Sequence, residues 1–296
     1  MSRVFVTGAS GFVGKHVVEA LSGHDVTALV RSPGSSAIKG VRPAIGDVTR
    51  AESLGGLLEG QDIVVHLVGI IEESKGISFD GVIRQGTENI LNEAKRAGVG
   101  RFVLMSALGA HDNPAFPYMQ AKFRSEALVR SSGVDYTIIR PSVIFGRGDG
   151  FINALAGVVR SFPVTPVVGN GLTKFQPVSV IDVADAFAAV VGDPRLAANQ
   201  IVELGGADSM TYEEMIDLIA IELEKKRPKI HVPVRLMKLV VSLSSPLPKS
   251  IRPPVTPEQL KMLALDNSVS PVPLTRLIGR EPRSLRGNIG FIRSTR

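Results

Sequence analysis

The chain has 296 residues, 44% of them apolar, enough for one large domain or for one full domain with a smaller partner. It contains no cysteine, which excludes disulfides, thiolate catalysis and sulfur-ligated metal, and its five scattered histidines form no HExxH or comparable metal-binding pattern. The net charge of +6 is unevenly held: residues 228–296 carry 12 Lys and Arg against 3 Asp and Glu, a net of +9, which leaves −3 for the first 227.

In chain order, short β-branched runs alternate with longer helical patterns over the first two hundred residues, the signature of a parallel sheet covered by helices on both faces. Strands are predicted at Val4–Thr7, Val26–Val30, Arg42–Ile45, Ile63–Leu67, Phe102–Met105, Tyr136–Ile139 and Ile201–Leu204. Helices are predicted at Gly11–Leu21, Ala51–Leu58, Phe79–Ala97, Tyr118–Ser131, Asp182–Val191 and Tyr212–Glu224. The expected fold is α/β, a doubly wound parallel sheet of Rossmann type with a smaller C-terminal lobe. Residues 1–147 and 176–204 are assigned to the sheet domain, and 148–175 and 205–296 to the lobe, which is expected to form one wall of a cleft.

No apolar run approaches the ~20 residues needed to cross a bilayer, and "MSRVFVTG" enters a strand without a signal-peptide core. A cytoplasmic location is expected. After Arg227 the texture becomes Pro-punctuated and basic. Val234–Pro248 reads as a short amphipathic basic helix, either packed on the sheet domain or lying on a membrane, so the lobe is a possible peripheral contact with anionic lipid or a respiratory enzyme. No aromatic residues alternate with the basic ones as a base-stacking surface requires, and nucleic acid is not expected as a partner.

"VFVTGASGFVGKHVVEAL" sets Gly8, Gly11 and Gly14 between a strand and a helix. Such a turn offers free backbone N–H groups and the positive end of the helix dipole to a pyrophosphate, while the missing Cβ atoms permit close approach. The second strand ends in Arg31, where an acidic residue would accept the 2′-OH of NAD. A guanidinium there can clamp a 2′-phosphate, with Ser32, Ser35, Ser36 and Lys39 as helpers, which favours NADP(H) over NAD(H); the alternative is a solvated arginine at a loop start. Tyr118 and Lys122 lie four apart on one helix face, so a tyrosine protonated at neutral pH can donate while the ammonium stabilises the phenolate left behind.

With "TGASGFVG", "GDV" at Gly46–Val48, "DIVVHLVG", "QGTENIL", "YMQAK", "RPSVIFGRGD" and "FQPVSVIDVADA" in order over about two thirds of the chain, the sequence resembles the extended or atypical branch of the short-chain dehydrogenase/reductase superfamily, epimerase/dehydratase-like. "LMSALGA", "FINALAGVVRSFPVTPVVGNG" and the late "PPVTPEQLKMLALDNSV" resemble more narrowly the dehydrogenase-like accessory subunit of respiratory complex I and its bacterial relatives. The resemblance implies Gly8, Ser10, Gly11, Phe12, Val13 and Gly14 at the pyrophosphate, Arg31 at the 2′-phosphate, and Asp47 and Val48 beside the adenine. It further implies Leu67, Val68 and Gly69 along the cofactor, Tyr118 and Lys122 at the nicotinamide ribose, and Pro141, Ser142 and Val143 bordering the nicotinamide.

Asp47 has a second reading, as the cap of the helix near Ala51, and His66 reads as a satisfied strand residue rather than a ligand. The implied chemistry is an NADPH-dependent oxidoreductase or epimerase-like reaction on an unidentified small substrate, with Tyr118 as acid and Lys122 and Ser106 beside it. Two supporting positions of the family are apolar: Leu108 stands where a hydroxyl would orient the carbonyl, and Ile83 where an asparagine is usual, with Gln85 as a substitute. A carbonyl bound without donors loses stabilisation worth ~3 kcal/mol per group. The alternative function is therefore a non-catalytic NADPH-binding accessory or sensor protein of a membrane respiratory assembly.

Overall fold

The computed structural model describes residues 1–32, 40–237, 257–263, 265–269 and 273–294. Ser35, Ser36 and Lys39 lie outside the described residues, as does the predicted basic helix from residue 238 onward. The described chain forms two compact units: Met1–Pro141, Val180–Leu204 and Pro273–Glu281, and Ser142–Ser179, Gly205–Val272 and Pro282–Arg296.

The first unit is built on seven strands: β1 (Arg3–Thr7), β2 (Asp25–Val30), β3 (Arg42–Ile45), β4 (Ile63–His66), β5 (Arg101–Met105), β6 (Asp135–Pro141) and β7 (Gln200–Leu204). Every pairing is parallel and the order is β3-β2-β1-β4-β5-β6-β7, a doubly wound sheet whose winding reverses between β1 and β4. The central strands read as unbroken apolar runs because both faces are covered: all four residues of β4 and all but the first of β1 are buried. On one face Phe5, Val64, Phe102 and Ile138 pack with Ile90, Leu91 and Val129 from covering helices, each such burial contributing about 1.5–3 kcal/mol.

Those helices are α1 (Phe12–Ala20), α2 (Gly86–Arg96), α3 (Pro117–Arg130) and α4 (Val180–Gly192). Two segments depart from the predicted helices. Ala51–Leu58 is only a 3₁₀ turn over Ala51–Leu54, because Gly55 and Gly56 follow and Gly56 takes φ +80°. The predicted helix from Phe79 begins as a π-helix over Asp80–Gln85 and becomes α-helical at Gly86, whose N–H reaches back five residues to the Gly81 carbonyl.

The smaller unit has its own core, where Phe145, Leu155, Val159, Met215, Ile216, Ile219, Leu260 and Ile289 pack together. Its helix Ile152–Ser161, absent from the predicted elements, starts where buried Asp149 accepts the backbone N–H groups of Phe151 and Ile152 at 2.9 and 2.6 Å. The units divide at Pro141/Ser142 and Ser179/Val180 rather than at 147/148 and 175/176. Pro273–Glu281 returns to the first unit instead of staying with the lobe. Arg280 is the reason: it pairs with the fully buried Asp182 at 2.6 Å and with Asp185, and a buried carboxylate requires such a partner.

Candidate dinucleotide and proton-transfer site

The sheet brings the predicted glycine turn and the segment Leu67, Val68 and Gly69 to the carboxyl ends of β1 and β4. Gly8 leaves β1 at φ +75°, and a Cβ there would lie 3.1 Å from the Leu67 carbonyl carbon and the Val68 nitrogen, so the segment 67–69 runs against the glycine turn. Gly11 is the N-cap of α1 and supplies no side-chain cap, which leaves the first-turn amides at Phe12, Val13 and Gly14 pointing out of the helix end. A Cβ on Gly14 would fall 2.1 Å from the Gly8 carbonyl oxygen, so the tight turn exists only with glycine here. Ser10 is exposed at the turn. This cradle of backbone N–H groups without side-chain cover fits a diphosphate.

Arg31 and Ser32 are exposed just beyond β2, and the Arg31 charge reaches Asp47. Burial pushes the Asp47 carboxyl up, but hydrogen bonds from the Thr49 N–H and hydroxyl, with Arg31 and Arg50, hold it below the usual carboxylate range. Asp47 therefore closes a turn on Thr49; the 3₁₀ segment after Arg50 has no side-chain cap, so the capping alternative does not hold. Val48 is buried, with its carbonyl accepting from Asn89 at 2.8 Å.

Tyr118 and Lys122 sit one turn apart on α3. The Lys122 side chain is 2% exposed, and its Nζ donates to the Met105 carbonyl at the end of β5, 2.9 Å away. A Cβ on Gly69 would come within 3.4 Å of that Nζ, which sets the lysine directly beneath the segment that follows β4. Burial pulls Lys122 down to about 8, opposed by the nearby Glu126. Tyr118 is half-buried, its ring edge-on to Phe79 at 5.6 Å, and desolvation raises its hydroxyl to about 12. At neutral pH the Tyr118 phenol is protonated and Lys122, one turn along, is an ammonium, the state needed to donate a proton.

Ser106 is engaged by another residue of α3. Its buried hydroxyl donates to Glu126, which also accepts two bonds from Arg140 at 2.8 and 2.6 Å; Arg140 reaches on to Glu203 at 3.3 Å. Glu126 completes the spacing Tyr118, Lys122, Glu126 along one face of α3, a four-residue interval visible in the sequence. Ile83 packs with Phe79 and Ala121 against Tyr118, whereas Gln85 is exposed, so the face toward the tyrosine carries no amide. Leu108 is buried, its N–H donating to the Pro141 carbonyl at 3.0 Å.

His66 is buried with Nδ1 2.7 Å from the Thr7 hydroxyl, while Nε2 has no hydrogen-bond partner among the described residues. Desolvation, then the Lys122 charge, lowers it to about 3, so the ring is neutral. It is thus only half satisfied. Pro141 ends β6, but Ser142 and Val143 belong to the second unit, where the Asn267 side-chain oxygen takes the Ser142 hydroxyl at 2.5 Å and the Val143 N–H at 3.0 Å. Among the described residues no group of three or more His, Asp and Glu could hold a metal ion, and no helix is long and apolar enough to cross a membrane.

The family model described as NAD(P)H-binding matches residues 8–194. The chain is 29% identical over 225 residues to a mitochondrial NADH dehydrogenase [ubiquinone] 1 alpha subcomplex subunit 9 of Arabidopsis thaliana, a match covering 72% of this chain and 56% of that subunit. The chain thus spans little more than half of that relative's length. It is 31% identical over 221 residues to a ceramide reductase of Caulobacter vibrioides, covering 72% and 68%. In fold it is similar to an NADPH-dependent quinone oxidoreductase of Escherichia coli solved with NADPH, with TM-score 0.75 and 20% identity over 97% of this chain and 98% of that one. With the glycine cradle, the Tyr118 and Lys122 pair and a family match over residues 8–194, the chain belongs to the NAD(P)H-binding family.

Proposed function

We propose that the protein is an NADP(H)-dependent oxidoreductase that reduces a carbonyl on a small molecule. The observation that carries this reading is Lys122, buried under Gly69 and fixed to the end of β5, with the protonated Tyr118 one turn before it. When bound, the dinucleotide supplies hydride to the carbonyl carbon. Tyr118 gives its hydroxyl proton to the oxygen, and the Lys122 ammonium stabilises the phenolate that remains. Arg31 supports a preference for NADPH, because its guanidinium can pair with a 2′-phosphate. The test is NADPH oxidation against ketones, quinones and nucleotide sugars, with Tyr118→Phe alongside. The variant is expected to keep its NADPH affinity and lose at least ~100-fold in kcat; unchanged turnover would remove Tyr118 from the reaction.

A second reading is favoured by the Ser106 hydroxyl, turned to Glu126, and by the apolar Ile83 and Leu108. Without donors for a carbonyl, the protein would hold NADPH as an accessory or sensor component of a membrane respiratory assembly, with the basic residues after 228 on anionic lipid. The relative named as a NADH dehydrogenase subunit supports this reading. Tight NADPH binding without turnover of any carbonyl, together with flotation on anionic liposomes at low salt, is its expected outcome; free protein in that assay would count against it.

A further inference from the structure

Within the second unit, strands Thr165–Val168 and Lys229–Val232 pair in parallel as a two-stranded ribbon, with Lys229 beside Thr165, Ile230 beside Pro166 and His231 beside Val167. One face of the ribbon is closed. Thr165 and Val167 are buried, while Lys229 reaches Glu213 at 2.7 Å and Asp217 at 2.8 Å, and His231 reaches Glu213 at 3.1 Å, both acids lying on helix Tyr212–Glu222. Because side chains alternate along a strand, Val164, Pro166 and Ile230 are set on the opposite face. A sheet with one free face ordinarily turns polar residues to water. This ribbon does the reverse: its charged residues meet acidic partners on the helix, and Ile230 is left 56% and Val164 39% exposed. Phe162, in extended backbone two residues before Val164, is 51% exposed.

We propose that this face docks on an anionic lipid surface, with Phe162, Val164, Pro166 and Ile230 at the boundary between headgroups and acyl chains and Lys225, Lys226 and Arg235 on the phosphates. This rests on the membrane contact of the second reading above and gives it a place on the molecule. Charge complementarity selects the occupant. Lys225 and Lys226 are exposed just before the strand Lys229–Val232 and Arg235 is exposed just after it, so cations flank both ends of an apolar strip about 13 Å long. Glu224 is the exposed acid beside them, and Glu222 is taken up by Arg293 at 2.7 Å. A second copy of the same face would set cations against cations. An anionic bilayer attracts each of them and accepts the apolar strip between.

The experiment is flotation of the full chain with vesicles of phosphatidylcholine alone and of phosphatidylcholine with one third phosphatidylserine, at low and high salt, beside sedimentation of the protein without lipid. The expected result is partition onto the anionic vesicles that weakens with salt. Ile230→Thr and Phe162→Ser, both at exposed positions that let the variants fold, should each weaken it at least about fivefold, and Lys225→Ala with Lys226→Ala about tenfold or more. Ile45→Thr, an equally exposed isoleucine of the first unit, should leave it unchanged. Equal partition onto neutral and anionic vesicles, no partition at all, or self-association abolished by Ile230→Thr would overturn the proposal. The two readings fail differently. Anionic partition untouched by Ile230→Thr and Phe162→Ser keeps the membrane contact and removes this face; partition that needs both residues, together with NADPH-driven turnover of a carbonyl, keeps the face and removes the non-catalytic role.

Discussion

Lys122 and Glu126, one turn apart on α3, grip consecutive residues at the end of β5: the Lys122 Nζ donates to the Met105 carbonyl at 2.9 Å, and Glu126 accepts the Ser106 hydroxyl. Ser106 is thus a brace for the strand that positions the lysine. Ser106→Ala should leave NADPH affinity within about twofold while lowering stability by about 1–2 kcal/mol, the worth of a hydrogen bond to a buried carboxylate. Calorimetry and urea unfolding would measure both, and a tenfold loss of NADPH affinity would instead place the hydroxyl at the cofactor. Glu126→Ala should cost more, about 3 kcal/mol or above, because it leaves Arg140 largely buried and without its two-pronged partner.

Gly14→Ala tests the cradle. The added methyl would meet the Gly8 carbonyl at 2.1 Å and Ala9 Cα at 2.7 Å, both backbone atoms that cannot step aside without opening the turn. NADPH affinity should fall at least about tenfold, and stability by about 1–3 kcal/mol. Gly23→Ala is the control, since nothing lies within 4 Å of its added carbon. Thermal melts with and without NADPH would read both; an unaltered NADPH shift in the Gly14 variant would rule out the cradle.

Arg31→Ala separates the two dinucleotides. A lost charge-assisted bond to a 2′-phosphate should weaken NADPH binding about 10- to 100-fold, with NADH changed less than about threefold. Parallel titrations give the ratio. Equal losses for both cofactors would show that the guanidinium does not read the extra phosphate.

Buried His66 makes stability depend on acid. Its folded value, about 3, lies below the unfolded 6.5, so between these pH values the unfolded chain holds the extra proton. The stability associated with the neutral ring is full above pH 6.5 and is lost as pH falls toward 3, by an amount on the order of several kcal/mol. His66→Gln, which cannot titrate, should show a flatter fall between pH 7 and 4 in chemical unfolding. Lys122 acts at the other end: its value of about 8 lies below 10.5, so its desolvation penalty is relieved as pH rises from 8.

The sequence by itself determined the sheet. Continuous apolar strands separated by helical periods admit little but a doubly wound parallel arrangement, and all seven predicted strands form within one or two residues of their expected ends. It also determined the cradle and the Tyr118 and Lys122 pair, because glycine spacing and a four-residue helical interval are local properties of the backbone. Only the tertiary structure decided where the polar groups around them point. Ser106 could face the substrate or the protein until Glu126 and Arg140, 20 and 34 positions along, were folded against it. Ser142 and Val143 were drawn to Asn267, more than 120 residues away, by a side-chain oxygen that satisfies both. A hydrogen bond between distant residues has no period and no local spacing, so its partners become legible only when the fold brings them together.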